Sequence, residues 1–223
     1  MALRRKEKRT ERSKLDATPP WDTSKRRAVA ATTGPFDESD AELAEELERI
    51  DLGALRIPAA AGLEVRVEVA EQGQIAGVTL VNETGQMQLG VFAAPRNEGI
   101  WDDVRAEIKA SISQQGGTVT EQDGVFGPEL AGKLPAQGGV TPIRFIGVNG
   151  PRWFLRATLA GAPAMADEAA ELFLDTLRQV VVVRGNDPLP VREPVPLALP
   201  REAAEQVAAA AEQAQRAGGE QAP

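Results

Sequence analysis

The sequence contains no cysteine, no histidine and no tyrosine among its 223 residues. Without cysteine there are no disulfides, no thiolate nucleophiles and no cysteine-type zinc sites. Without histidine there is no Ser-His-Asp arrangement and no general base that titrates near neutral pH in its ordinary state. Catalysis would have to rest on Asp, Glu, Lys, Arg, Ser or Thr alone. We therefore predict that the protein is not an enzyme and holds no cofactor and no metal.

Long apolar runs are also missing. No segment approaches the ~18–20 consecutive apolar residues that a membrane-spanning helix requires. The first nine residues, MALRRKEKR, are charged and lead into no apolar segment of the kind found in secretory signals. The lack of cysteine fits a reducing compartment. These features favour a cytoplasmic protein without a membrane span.

Charge is divided unevenly along the chain. Residues 1–27 carry ten Lys/Arg against four Asp/Glu, a net of +6, and the remainder carries 15 against 29, a net of −14, which together give the overall −8. We predict a disordered basic tail over residues 1–36, because this stretch has almost no periodic apolar pattern. Its basic cluster is a candidate contact for nucleic acid or another anion. The cluster consists of Arg4, Arg5, Lys6, Lys8 and Arg9. The simpler interpretation, which we favour, is a solubilising tail.

An acidic stretch over residues 37–52 follows the tail. Leu43, Leu47 and Ile50 recur at helical spacing, and Asp40 lies where the helix N-terminus would favour a negative charge. This pattern predicts a short amphipathic helix.

Residues 53–187 have the pattern of an α+β domain. The predicted elements are strands over 63–69, 75–81, 86–93, 118–121, 130–134, 143–148, 152–159 and 180–183, and helices over 100–115 and 165–179. Short turns between most of the strands favour an antiparallel arrangement. We predict a twisted antiparallel sheet of six to seven strands with two main helices.

The predicted hairpin over 143–159 contains the most site-like group in the sequence. Asn149-Gly150 is a typical hairpin turn, because a type I′ turn needs positive φ at both central residues. Alternation along the second strand then places Arg152, Phe154 and Arg156 on one face. That face could bind an anionic ligand, or RNA stacked on Phe154. The alternative, which we favour, is that the arginines pair with surface carboxylates. The other face, led by Trp153, is predicted to pack in the core against the helix around Leu172 and Phe173.

Residues 188–223 are predicted to lie outside the packed domain. Five prolines between residues 188 and 200 favour an extended, polyproline-like chain. The Ala-rich remainder is predicted to form a loose helix with little to bury. We accordingly expect residues 37–188 to fold without either tail.

Four segments resemble those of an actinobacterial family of alanine-, glycine- and valine-rich proteins that carry a domain of unknown function. The segments are GALRIP at 53–58, WDDVR at 101–105, GPRWFLR at 150–156 and RGNDPLPVREP at 184–194. The order of the predicted elements is more distantly similar to the PsbP/Mog1-like α/β sandwich. The family resemblance implies an intracellular protein without an established activity, and it supplies no catalytic or ligand-binding residues.

The sequence therefore predicts a non-enzymatic cytoplasmic protein-binding or adaptor module, with an unidentified protein as its partner. The alternative is a weak nucleic-acid-binding protein that uses its basic N-terminal tail, with Arg152 and Arg156 as further contacts. Salt separates the two, because phosphate contacts weaken steeply as ionic strength rises. The oligomeric state does not follow from the sequence.

Overall fold

The computed structural model describes residues 34–43, 46–69, 75–96 and 98–200. The strands are β1 (Phe36–Asp37), β2 (Arg49–Asp51), β3 (Leu55–Pro58), β4 (Glu64–Val69), β5 (Ile75–Val81), β6 (Gly85–Ala93), β7 (Thr118–Gly124), β8 (Gly127–Ala136), β9 (Gly139–Gly150), β10 (Trp153–Gly161) and β11 (Val181–Val182). The helices are α1 (Trp101–Gln114) and α2 (Asp167–Arg178), with 3-10 helices at Glu38–Leu43 and Ala162–Ala164.

The strands form two sheets. The principal sheet has seven strands in the order β4-β5-β6-β10-β9-β8-β7, and all of its pairings are antiparallel. A smaller sheet has the order β1-β11-β3-β2, in which only β1 and β11 run parallel. The predicted α+β class, with an antiparallel sheet and two main helices, is confirmed. The predicted strand over 180–183 forms β11, but the rest of the smaller sheet was not predicted, because β1, β2 and β3 are only two to four residues long. Phe36 is buried and pairs with Val181, so the predicted tail over residues 1–36 is wrong at its C-terminal end.

The main core lies between one face of the principal sheet and a layer made of α2 and the smaller sheet. Alternate residues of β10, beginning with Trp153 and Leu155, are buried there beside Phe173 of α2 and Leu55 of β3. Each such side chain contributes about 1.5–3 kcal/mol through burial. The predicted core face of β10 is thus correct. The predicted contact at Leu172 is not, because that side chain lies on the more exposed side of α2.

Helix α1 covers part of the opposite face of the same sheet. Ile100 and Trp101 pack with Phe154 in a second apolar cluster. The side chain of Asn149 on β9 accepts hydrogen bonds at Oδ1 from the backbone N–H groups of Ile100 at 3.0 Å and Trp101 at 3.2 Å. These bonds satisfy donors that the first turn of a helix leaves unpaired. Trp101 is therefore a core anchor at the start of α1.

The turn between β9 and β10 differs from the prediction by two residues. Trp153 pairs with Gly150, so Pro151 and Arg152 form the loop and not Asn149-Gly150. Proline at the first central position and a φ of 66° at Arg152 are the pattern of a type II turn. The side chain of Asn149 instead accepts hydrogen bonds from the first residues of α1. Turn preferences of neighbouring residues in the sequence do not reveal this long-range contact.

The acidic stretch forms less helix than predicted. A 3-10 helix covers only Glu38–Leu43, and Arg49–Asp51 forms a strand instead. Ile50 pairs with Ile57 on β3, so tertiary strand pairing overrides the local helical spacing.

The proline-rich chain after residue 188 differs from the predicted extended chain outside the domain: it turns at Arg192, where φ is 73°, and it packs against the domain. Strand β5 pairs with β6 only from Val78 to Val81, which leaves the far end of β6 without that neighbour. Val195 donates a hydrogen bond to the carbonyl of Val91 at 2.9 Å, and the N–H of Ala93 donates to the carbonyl of Glu193 at 2.8 Å. Val195 is only 8% exposed and belongs to the main core. Residues 201–223, including the predicted loose helix, lie outside the described residues.

Candidate functional site

The structure does not assemble the hairpin group predicted from the sequence. Phe154 is 1% exposed, and its ring stacks on Trp101 at 5.7 Å between centroids and lies 6.2 Å from Phe92. Helix α1 therefore covers the ring, which leaves no face for a nucleic-acid base. Alternation alone missed this, because a strand covered on both faces is buried on both.

The two arginines of that group have separate environments. Arg152 lies in the β9–β10 turn, where its backbone carbonyl accepts a hydrogen bond from Arg184. The guanidinium of Arg156 lies 5.1 Å from the centroid of the Phe92 ring, in a cation–π contact. Burial lowers the pKa of Arg156, because desolvation disfavours its charged form. The basic cluster of Arg4, Arg5, Lys6, Lys8 and Arg9 lies outside the described residues, so its anion-binding role stays a prediction.

Two adjoining clefts lie on the face of the principal sheet opposite α1. They are bordered by β7, β8, β9 and α2. We call the first the acidic cleft; it has a volume of about 630 Å³. Its lining residues are Gln122, Asp123, Gly124, Val125, Arg144, Asp167, Glu168, Glu171, Leu174 and Arg178. We call the second the threonine cleft; it has a volume of about 560 Å³. Its lining includes Thr118, Thr120, Lys133, Pro142 and Met165, and it shares Gln122, Arg144 and Asp167 with the acidic cleft.

A buried ion pair separates the clefts. Arg144 of β9 donates to the Glu129 carboxylate of β8 from Nε at 2.7 Å and from Nη2 at 3.0 Å. Its Nη1 donates to Asp167 at the start of α2 at 2.7 Å. The side chains of Arg144 and Glu129 are 5% and 2% exposed. The hydrogen bond that Arg144 donates to Glu129 raises the pKa of Arg144 against the opposing effect of burial. Arg144 thus joins the start of α2 to the sheet through Asp167 and lies at the floor of both clefts.

Charge differs between the two clefts. Glu168 and Glu171 line the acidic cleft, and no cation lies within ion-pair distance of these two carboxylates in the part of the chain that the structure describes. Asp123 borders the cleft on β7, but strand alternation places its side chain on the face that carries Glu121. The two arginines of the acidic cleft are already neutralised, Arg144 by Glu129 and Arg178 by Asp175. The threonine cleft instead contains the exposed Lys133 among hydroxyl side chains. The local charge therefore changes from positive to negative along β7.

Strand β7 forms the edge of the principal sheet beside both clefts. Its seven residues pair with β8 without a register shift, from Thr118 opposite Lys133 to Gly124 opposite Gly127. Across the described ranges, no strand or backbone hydrogen bond occupies its other side. The strand is largely exposed. This edge is a regular row of unpaired backbone donors and acceptors.

The pairing pattern shows which residues of β7 point outward. Gly124 and Gly127 close a two-residue loop, so they form a hydrogen-bonded pair. The next pair, Asp123 with Pro128, cannot exchange both bonds, because proline has no N–H. Since the two pair types alternate in an antiparallel ladder, Val119, Glu121 and Asp123 direct N–H and C=O to the open edge. The side chains of the even-numbered residues, among them Thr120 and Gln122, line the clefts.

The remaining sheet edges are protected. Strand β4 carries Glu64, Arg66 and Glu68 in alternation and is interrupted by a bulge at Glu68. Strands β1 and β2 of the smaller sheet are two and three residues long. Charge, bulges and shortness are the usual means by which edge strands avoid pairing with other chains. Strand β7 has neither a bulge nor a basic residue, and its Glu121 is held toward α1 by Lys109 at 2.6 Å. That hydrogen bond lowers the pKa of Glu121.

Metal and membrane features can be described for the same ranges. Over residues 34–43, 46–69, 75–96 and 98–200, no three His, Cys, Asp or Glu side chains are grouped as metal ligands. Within this part of the chain, no helix is both long and apolar enough to cross a membrane.

Sequence reasoning missed Arg144, Glu129 and the β7 edge. The sequence contains one signal for Arg144, because this charged residue lies between the apolar residues Ile143 and Phe145 in a predicted strand. An arginine on the core-facing side of a strand is almost never buried unless it is paired. The identity of its partner, 15 residues earlier in the chain, depends on the register of β8 and β9 and could not be read from the sequence.

An α+β domain with an open sheet edge and no grouped metal ligands in its described part is the class of protein that these observations define. The chain belongs to the family described as "Protein of unknown function (DUF3710)", whose family model matches residues 34–206. The predicted membership in a family of unknown function is thereby confirmed.

No curated protein is significantly similar to this chain. Seven solved protein chains are similar to this chain, among them two at 10% identity. One is a crystal structure at 1.50 Å of a protein from Bacteroides thetaiotaomicron VPI-5482, with 10% identity and a TM-score of 0.37, covering 61% of this chain and 48% of the other. The chain thus spans about half the length of that protein. The other is the solution structure of cyanobacterial PsbP from Synechocystis sp. PCC 6803, with 10% identity and a TM-score of 0.36, covering 62% of this chain and 95% of the other.

Proposed function

We propose that the protein is a non-enzymatic, cytoplasmic protein-binding module that takes up an extended segment of a partner at the open edge of β7. The observation that carries the proposal is the edge itself: seven residues in unbroken register, beside two clefts, with no described strand on the outer side. Addition of a strand to an exposed sheet edge is a common mode of peptide recognition.

The backbone supplies the affinity in this mode. Val119, Glu121 and Asp123 present three N–H and three C=O groups outward, as the ladder pattern above requires. Each hydrogen bond made in exchange for water contributes about 0.5–1.5 kcal/mol net. Six such bonds give a moderate interaction, from which the cost of ordering the partner segment must be subtracted.

The clefts supply the selectivity. A partner strand paired with β7 places every second side chain on the face that carries Thr118, Thr120 and Gln122. Those side chains then reach the threonine cleft or the acidic cleft, whose combined lining is polar and of changing charge. Because Arg144 is fixed by Glu129, the cleft floor is formed before a partner arrives.

A proline substitution tests the proposal at one backbone group. Peptides are selected against the full-length protein from a display library of random ten-residue segments, and their affinity is measured for two variants. Val119→Pro removes an outward N–H at an edge position where proline is tolerated. Val119→Ala is the matched control, because it shortens the same side chain and keeps the N–H.

We expect Val119→Pro to weaken the selected peptides by roughly tenfold, since it removes a hydrogen bond and obstructs the adjacent one. Val119→Ala should retain affinity within about twofold, because the side chain is not the principal contact. A library that yields only peptides binding equally well to Val119→Pro contradicts strand addition at β7.

A further inference from the structure

The geometry points to the chemistry of the partner segment: we propose that it carries a lysine or arginine at the position opposite Gln122, with the cationic group in the acidic cleft. The inference rests on the proposed function, because it assumes that the segment pairs with β7. It adds a charge and a position to that pairing.

The position follows from the register. Directly opposite residues in an antiparallel pair have Cβ atoms about 4.5–5.5 Å apart on the same face of the sheet. Gln122 lines both clefts, and its side chain lies on the cleft face of β7 at the mouth of the acidic cleft. A partner side chain opposite Gln122 therefore starts at that mouth. A side chain opposite Thr118 starts in the threonine cleft, which contains Lys133.

The charge follows from the lining. Glu168 and Glu171 have no cation within ion-pair distance among the described residues. Arg144 and Arg178, the cations of the cleft, already contact Glu129 and Asp175. An incoming ammonium or guanidinium group meets uncompensated negative potential at this end of β7, whereas a carboxylate is repelled. The same cation at the Thr118 end would meet Lys133.

A second copy of this chain is a poorer occupant. Strand β7 reads TVTEQDG and contains two acidic residues and no lysine or arginine. Pairing β7 with β7 of another copy therefore brings no cation to the acidic cleft. It also places Glu121 and Asp123 of both copies along one edge, and like charges on facing strands are destabilising. We assign the position to a basic segment of another protein; the chain's own basic residues 1–27 are the competing occupant, which slow hydrogen exchange at the edge of the unliganded protein would reveal.

The test uses the peptides selected against full-length protein and two charge-matched variants. Glu168→Gln with Glu171→Gln removes two carboxylates from the acidic cleft. Glu83→Gln with Glu98→Gln removes two exposed carboxylates that do not line either cleft, and changes the net charge equally. Both pairs of substitutions are at exposed positions, so folding should be unaffected.

We expect the selected peptides to share a Lys or Arg, and the cleft variant to weaken them by roughly 3- to 30-fold, consistent with two partly shielded ion pairs. The control variant should bind within about twofold, since its carboxylates lie away from the segment. Exchanging the shared Lys for Gln in the peptide should cause a similar loss, and the loss should not add to that of the cleft variant.

Three results would overturn the inference. The first is that the selected peptides bind more weakly to Val119→Pro but are neutral or acidic, or bind equally well to the cleft variant. That result would support strand addition and contradict the proposed basic side chain. Peptides indifferent to Val119→Pro remove strand addition itself. Slow hydrogen exchange at the amides of residues 119, 121 and 123 in the unliganded protein would show that the protein's own chain or a second copy already pairs with the edge.

Discussion

Arg144 and Glu129 lie diagonally across neighbouring strands, since Arg144 is opposite Ala131, and they form two hydrogen bonds, of 2.7 and 3.0 Å, with both side chains almost fully buried. A buried pair of this kind is costly to break, because the remaining charge has no solvent to stabilise it. The pair also holds the N-terminus of α2 through Asp167. It is therefore the structural basis of the two clefts.

Breaking this pair from either side should destabilise the protein. We predict that Arg144→Met lowers the free energy of unfolding by about 3–5 kcal/mol, because it leaves the buried Glu129 carboxylate unpaired. Glu129→Leu should cost less, because Arg144 keeps its hydrogen bond to Asp167. The double variant should recover part of this loss, since it leaves neither charge. Denaturant titrations of the three variants measure the effect. Single variants that each lose under ~1 kcal/mol would show that the pair is solvated.

The buried ion pair of Arg144 and Glu129 should require glycine at position 124. A Cβ at this position would overlap the carboxylate of Glu129, which occupies the space beside the glycine. We predict that Gly124→Ala destabilises by about 2 kcal/mol or more, through displacement of a buried hydrogen-bonded charge. In a Glu129→Ala background the same substitution should cost little, because the overlapping group is absent. Equal costs in both backgrounds would place the effect in the β7–β8 loop instead.

The C-terminal boundary of the folded unit should lie near Pro200. A chain that ends at residue 200 should unfold like the full-length protein, whereas one that ends at residue 188 should lose at least ~3 kcal/mol. The loss comes from burial of Val195, worth about 1.5–3 kcal/mol, and from backbone hydrogen bonds to β6. Thermal melts of the two chains decide the matter. This prediction replaces the earlier expectation that residues 37–188 fold alone. Equal melting temperatures for the chains ending at residues 188 and 200 would support the earlier expectation.

Substitutions at Trp153 and Arg152 should have very different effects on the free energy of unfolding, although the two residues are adjacent. Trp153 is buried in the main core, and its Nε1 donates to Asp37 at 2.8 Å. We predict that Trp153→Ala costs about 3–5 kcal/mol through lost burial and a cavity. Arg152 lies in a turn at a φ of 66°, so Arg152→Gly should be neutral or slightly stabilising, by up to ~1 kcal/mol. Urea midpoints of both variants give the comparison. Strong destabilisation by Arg152→Gly would mean that its side chain contributes to the fold.

The sequence was informative where burial follows a local period. Helix α1 and the core face of β10 were predicted closely, because apolar spacing there reflects packing directly. It was uninformative where a residue's role depends on a distant element. Asn149 resembles a turn residue until α1 is seen to start against it, and Val195 resembles part of a loose extension until β6 is seen to lack a neighbour. The candidate site could not be predicted for the same reason, because whether a strand forms an open edge depends on the arrangement of the whole sheet.

The most direct test of strand addition is amide hydrogen exchange at β7, followed by NMR in the full-length protein with and without a selected peptide. The account predicts fast exchange at residues 119, 121 and 123 in the unliganded protein and at least tenfold slower exchange in the complex, because their N–H groups acquire partners. The amides of residues 120 and 122, which bond to β8, should be protected in both states. A peptide that binds without slowing exchange at the three outward amides would contradict the account.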